Sequence, residues 1–213
     1  MNKTLLIFTL LFSTINYSQV QKIFYVDDAK TIDYVTVNFC VDNNARISEV
    51  TILPKKTTYK NTDIIKQLID YLKGIQYHSD SKLRNNCYDS TFEFINSKYE
   101  KLKLSETEFE KCKNIRTGEF KYMHISYPET IIYRTETTQI EKDSESIFEY
   151  KIEWKSPNEY SLIYSKVPEK EYEDLIGETI NVEIIDILDD EHYVYRSNLL
   201  DRTILTGVIK KIK

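Results

Sequence analysis

Glycine and histidine are scarce in this chain, with four glycines and three histidines in 213 residues. His78, His124 and His192 stand in three separate segments, none with a second histidine at ligand spacing, so the pattern offers no zinc site. Gly118, Gly177 and Gly207 are isolated, and the chain has no G-x-G-x-x-G, Walker loop, G-x-S-x-G elbow or H-E-x-x-H. Nucleotide binding and elbow-type hydrolysis therefore lack the backbone they need. No stretch is dominated by one sign of charge: 29 basic and 34 acidic residues are interspersed and leave a net charge of -5. Nucleic acid is not an expected partner.

The remaining reactive groups are equally unpromising. Cys112 sits beside Lys113, but no histidine in its segment can act as a base, which favours an unpaired disulfide partner over a nucleophile. The cluster Asp186, Asp189, Asp190, Glu191 and His192 reads as a turn, because short acidic side chains bond to the local backbone there. No pair of carboxylates is singled out for glycoside chemistry. The chain is expected to be no enzyme, with no catalytic residue, no metal and no cofactor.

One long apolar run is present, and it lies at the start. Lys3 precedes Thr4 to Phe12, an unbroken run of apolar residues plus threonine, and Ser18 before Gln19 is a plausible cleavage point. The run is about half the roughly 20 residues a membrane-spanning helix needs. Residues 1–18 are thus expected to be a signal peptide. The mature chain would carry no transmembrane segment and would be exported, to the periplasm or beyond the cell.

Seventeen tyrosines and nine phenylalanines suit a β-rich protein whose aromatic side chains cover sheet faces. Val35, Val37, Phe39 and Val41 alternate with polar residues, as in a strand with one buried face. A turn at 42–45 and a second strand over 46–53 complete a hairpin. Asn61 or Thr62 can cap a helix carrying Ile64, Ile65, Leu68, Ile69 and Leu72 at helical spacing, and Gly74 stands where a left-handed cap ends it. A third strand over 88–95 turns Tyr88, Phe92 and Phe94 inward and Asp89, Thr91 and Glu93 outward. The first domain is therefore placed at 19–98. A charge-dense linker over 99–113 separates it from a second domain at 114–213, where only strand signals remain. About seven strands are expected there, one of them over 130–141, in a meander closed into a barrel or half-barrel or opened into a sandwich.

The first domain resembles the TonB C-terminal domain family over residues about 31–98. Val35-Thr-Val37-Asn-Phe39-Cys-Val41-Asp42, Ile47-Ser-Glu-Val50-Thr-Ile52 and Phe92-Glu-Phe94-Ile95-Asn96 match that family's strand patterns, with Asn44 and Ala45 where it has glycine. The resemblance implies an α+β, ββαβ domain followed by the all-β unit. The second domain, from about 112 to 213, is similar to small secreted proteins of uncharacterised function from the Bacteroidetes. Cys112-Lys113-Asn-Ile-Arg-Thr117-Gly118-Glu-Phe120 and Leu175-Ile176-Gly177-Glu-Thr-Ile180-Asn-Val182-Glu-Ile184-Ile185 carry that likeness.

In the TonB-like topology the first and third strands are antiparallel neighbours. Cys40 and Cys87 share the outer parity of those strands, so a disulfide between them is expected, with Cys87 to Cys112 as the rival pairing. The leading functional expectation is a non-enzymatic binding or envelope-interaction protein. It would capture an envelope protein or peptide along the third strand at Asp89, Thr91 and Glu93. The alternative is a carrier, holding an apolar small molecule against Phe120, Tyr150, Ile152, Trp154, Tyr160 and Leu162 in the barrel.

Overall fold

The computed structural model describes residues 20–199 and 203–213. The expected signal peptide, residues 1–18, lies outside them. Among the described residues no helix is long and apolar enough to cross a membrane.

The N-terminal unit contains β1 (Ile23–Val26), β2 (Ile32–Val41), β3 (Ile47–Ile52), α1 (Thr62–Lys73) and β4 (Asn86–Asn96). Its sheet runs in the order β1-β4-β2-β3. The period-2 pattern places Val35, Val37, Phe39, Val41, Phe92 and Phe94 on one face, where Leu68 and Leu72 of α1 close the core. The Asn61 side chain accepts the backbone N–H groups of Asp63 and Ile64, a cap worth about 1 kcal/mol. Gly74 ends the helix in a right-handed conformation, φ -76°, and not in the left-handed one expected. Ala45 takes that conformation instead, at φ 62° in the β2–β3 turn. The Asp42 carboxylate holds the turn by accepting the N–H groups of Asn44 and Arg46.

Cys40 and Cys87 are directly opposite each other on β2 and β4 and form a disulfide. Cys112, the rival partner, is a free and buried thiol.

The α+β expectation, a TonB C-terminal-like ββαβ domain, is overturned. The chain is mostly β, its larger sheet is a closed barrel, and the smaller sheet contains a strand that the ββαβ order lacks. That strand, β1, is only four residues long, so its alternation does not register locally. It forms because β4 supplies a parallel partner, from Ile23 against Glu93 to Val26 against Asn96.

The barrel consists of β5 (Gly118–Tyr122), β6 (Ile131–Arg134), β7 (Thr138–Lys142), β8 (Ile147–Trp154), β9 (Glu159–Lys166), β10 (Thr179–Ile187), β11 (His192–Leu199) and β12 (Thr203–Lys211). Each strand is antiparallel to the next, and β12 returns to β5 through Ile209 opposite Tyr122 and Lys211 opposite Phe120. The strand expected over 130–141 is in fact two. The Thr135 hydroxyl accepts the N–H groups of Thr137 and Thr138, and this side chain makes a hairpin turn without glycine, proline, asparagine or aspartate.

The stretch read as a linker, 99–113, is packed against the barrel. The Tyr99 hydroxyl donates to Asp186, while Leu104 and Cys112 join the barrel's hydrophobic core. Outside the barrel, Ile185 and Val194 meet Ile95 and Tyr99 and tie the two units together.

Candidate functional site

Alternation in a closed barrel sends every second side chain inward, and here several of those side chains are polar. A 3-10 helical segment, Glu106–Ile115, buries Cys112 and Ile115 against Phe120, Ile132, Ile152 and Tyr193. This is the closed end.

Arg134 stands just inside it, 4% exposed. Its Nε donates to Gln139 Oε1 at 2.7 Å, one terminal nitrogen donates to the Ile115 carbonyl and the Tyr193 hydroxyl, both at 3.0 Å, and the other donates to the Tyr160 hydroxyl at 3.1 Å. The guanidinium also lies over the rings of Phe120 and Tyr160. A buried charge demands this degree of compensation, since removal from water costs several kcal/mol. Gln139, 1% exposed, passes the network onward: its Nε2 donates to Glu141 Oε1 at 2.7 Å, and the Tyr122 hydroxyl donates to the same oxygen at 2.7 Å. Glu141 Oε2 has no hydrogen-bond partner among the described residues.

Glu141 lines a cavity of about 1060 Å³ that runs from the barrel interior out to the N-terminal sheet. Tyr122, Tyr150, Tyr164, Phe148 and Tyr195 surround it, with Leu162, Ile180 and Val182 as the aliphatic wall. The Tyr150 and Tyr164 rings are 4.8 Å apart. Tyr195 can lie across β12 because its opposite residue is Gly207, where an added Cβ would stand 2.5 Å from the ring.

At the mouth, the loop between β5 and β6 contributes His124, Ser126 and Tyr127. His124 Nε2 is 3.3 Å from Glu93 of β4, and its ring packs on Tyr34 and Tyr127. The outer face of the N-terminal sheet thereby forms part of the cavity rim.

The structure brings together residues that the sequence assigned to two different sites. Asp89, Thr91 and Glu93 line the outer part of this cavity, as Tyr150, Tyr160 and Leu162 line the inner part. Asp89 accepts from Asn38 and Lys56, and the Thr91 hydroxyl is 3.0 Å from that of Thr36. The edge of β4 is paired with β1 from Glu93 onward. Phe120 and Ile152 share the packed core with Tyr150, Tyr160 and Leu162 but do not line the cavity, and Trp154 is stacked beneath Arg116, 4.4 Å from ring centre to guanidinium carbon. Arg134, Gln139 and Glu141 are absent from the sequence-based site. No local pattern marks them as interior, since Gln139 and Glu141 flank the apolar Ile140 on a hairpin that lacks a conventional turn.

Burial pushes the Cys112 thiol up to about 11, which leaves it un-ionised at neutral pH. No group of three or more metal-holding side chains occurs among the described residues. Asp189 makes a turn, accepting the N–H groups of Glu191 and His192.

Burial also raises the Glu141 carboxyl above its ordinary range, against the lowering effects of Tyr122, Gln139 and Arg134. A carboxyl raised by folding contributes stability that is present below its unfolded pKa and lost as pH rises through the folded one. Glu141→Gln removes this loss. In urea titrations at pH 4 and pH 8, the parent should compare less favourably with the variant at pH 8. An unchanged difference would mean that Glu141 is not desolvated.

No family model, curated protein or solved structure matches this chain.

Proposed function

We propose that the protein is an exported, non-catalytic carrier that holds a small molecule inside its eight-stranded barrel. The observation that supports this reading is the cavity of about 1060 Å³, walled by aromatic and aliphatic side chains and ended by the Arg134, Gln139 and Glu141 network. Small eight-stranded barrels either fill their interiors with side chains or keep room for one ligand. Ligand sites combine apolar walls with a few placed polar groups, and this interior has both. The Cys40–Cys87 disulfide suits an oxidising compartment and so supports export. The envelope-partner reading draws less support, since Asp89, Thr91 and Glu93 line the cavity rim.

Uptake of the neutral dye N-phenyl-1-naphthylamine tests the reading. The parent should bind it with a fluorescence increase, and Val182→Phe, which puts a larger side chain into the wall, should weaken binding about tenfold. Circular dichroism would verify the fold of the variant. Equal binding by parent and variant, or no binding by the parent, would count against a barrel carrier.

A further inference from the structure

Resting on the carrier reading, we propose that the ligand is an organic ammonium ion, held by the Glu141 carboxylate within a group of aromatic faces.

Among the described residues that line the cavity, Glu141 and Arg134 are the carboxylate and the guanidinium of its inner network, with Asp89, Glu93 and Asp143 elsewhere on the lining, and the two differ in what they leave available. Arg134 already makes four donor contacts, and Phe120 and Tyr160 lie against its guanidinium. An entering anion would therefore compete with bonds already made. Glu141 is in the opposite condition. Oε1 accepts two bonds and is fixed by them, whereas Oε2 has no partner among the described residues and belongs to a side chain lining the cavity. A fixed carboxylate with a free oxygen, away from bulk water, is an acceptor for a charged N–H group, and charge-assisted bonds are roughly twice as strong as neutral ones.

The surrounding rings favour the same charge. Phe148 is directly opposite Glu141 on the neighbouring strand, and Tyr150 is opposite Gln139. Tyr164 pairs with Tyr150 on the next strand, and Tyr122 reaches Glu141 from the other side. Aromatic faces are electron-rich and attract cations, by more when both are shielded from water. They repel carboxylates, and a neutral ligand would at best give Glu141 Oε2 a bond from an uncharged donor. The entering cation itself favours the ionised form of Glu141. Because Oε2 accepts hydrogen bonds, a protonated primary or secondary amine is favoured over a quaternary one.

Four compounds with one phenylalkyl body separate these chemistries by displacing N-phenyl-1-naphthylamine from the full-length protein: 2-phenylethylamine, its N,N,N-trimethyl analogue, 2-phenylethanol and 3-phenylpropionate. The primary amine should compete at about tenfold lower concentration than the alcohol, the trimethyl analogue should lie between them, and the carboxylate should be weakest. Glu141→Gln, which keeps the shape and the Tyr122 contact, should bring the amine to the level of the alcohol, each read against the variant's own dye affinity. Tyr164→Leu should weaken both cations more than the alcohol. The proposal is overturned by an alcohol as potent as the amine, by a preference for the carboxylate, or by a Glu141→Gln variant that keeps its preference for amines. Dye uptake without ammonium preference would overturn the ligand assignment and leave the carrier reading standing. Failure of dye uptake, together with no heat when 2-phenylethylamine is titrated directly, would remove both.

Discussion

Replacing Arg134 with alanine is expected to destabilise the barrel by about 3–5 kcal/mol, the range for removing one member of a buried charged network. The loss exceeds that of the contacts themselves. The Tyr193 and Tyr160 hydroxyls, the Ile115 carbonyl and Gln139 Oε1 would all lose the donor they now share, and Glu141 would lose its nearest compensating charge. Arg134→Lys keeps the charge but cannot reproduce the planar fork, so it should recover only part of the loss. Simultaneous apolar replacement of Arg134, Gln139 and Glu141 should cost less than Arg134→Ala alone, because no charge then remains to be compensated. Equilibrium denaturation of the three variants measures this order. A mild effect of Arg134→Ala would show that the network is readily hydrated, and with it that the floor of the cavity is wet.

Removing the disulfide should have a comparable effect on the other unit. The bond joins residues separated by 47 positions, and opening a loop of that size costs roughly 4 kcal/mol in the chain-entropy model. The Cys40→Ser, Cys87→Ser double variant should show this loss in denaturant midpoint, and the parent in reductant should approach the variant. A difference below about 1 kcal/mol would mean that the cross-strand bond adds little to a pair of strands already well registered.

What could be read in advance follows the range of the forces concerned. β2, β3, α1 and β4 have clean periodicities, because each has one apolar face and the partners of that face lie within the same unit. The parity argument for Cys40 and Cys87 works for the same reason. β7 defeats this logic: Gln139 and Glu141 point inward while Ile140 occupies the opposite parity, so an apolar-in rule turns the strand the wrong way round. The Thr135 turn hides the break between β6 and β7 as well, since a threonine hydroxyl does there what glycine or asparagine usually does. Asp89, Thr91 and Glu93 are outward on their strand, as the alternation says. That the barrel mouth covers this outward face is a docking event between units, and no local pattern encodes it.

The meeting of β12 with β5 governs when the closed barrel can exist at all. Seven of the eight strand junctions in the barrel link consecutive strands, whereas the eighth joins Tyr122 to Ile209 across almost the whole unit. Hairpins can zip in sequence as the chain emerges, but this pairing must wait for the final strand, and such distant contacts slow folding. Until then β5 presents an unpaired edge, a template for association with other chains. A population paused before closure would have native hairpins and no enclosed interior. On the proposed carrier reading, dye uptake should therefore lag behind secondary-structure formation in a refolding time course, and amides of β5 facing β12 should be the last in the barrel to gain protection from exchange.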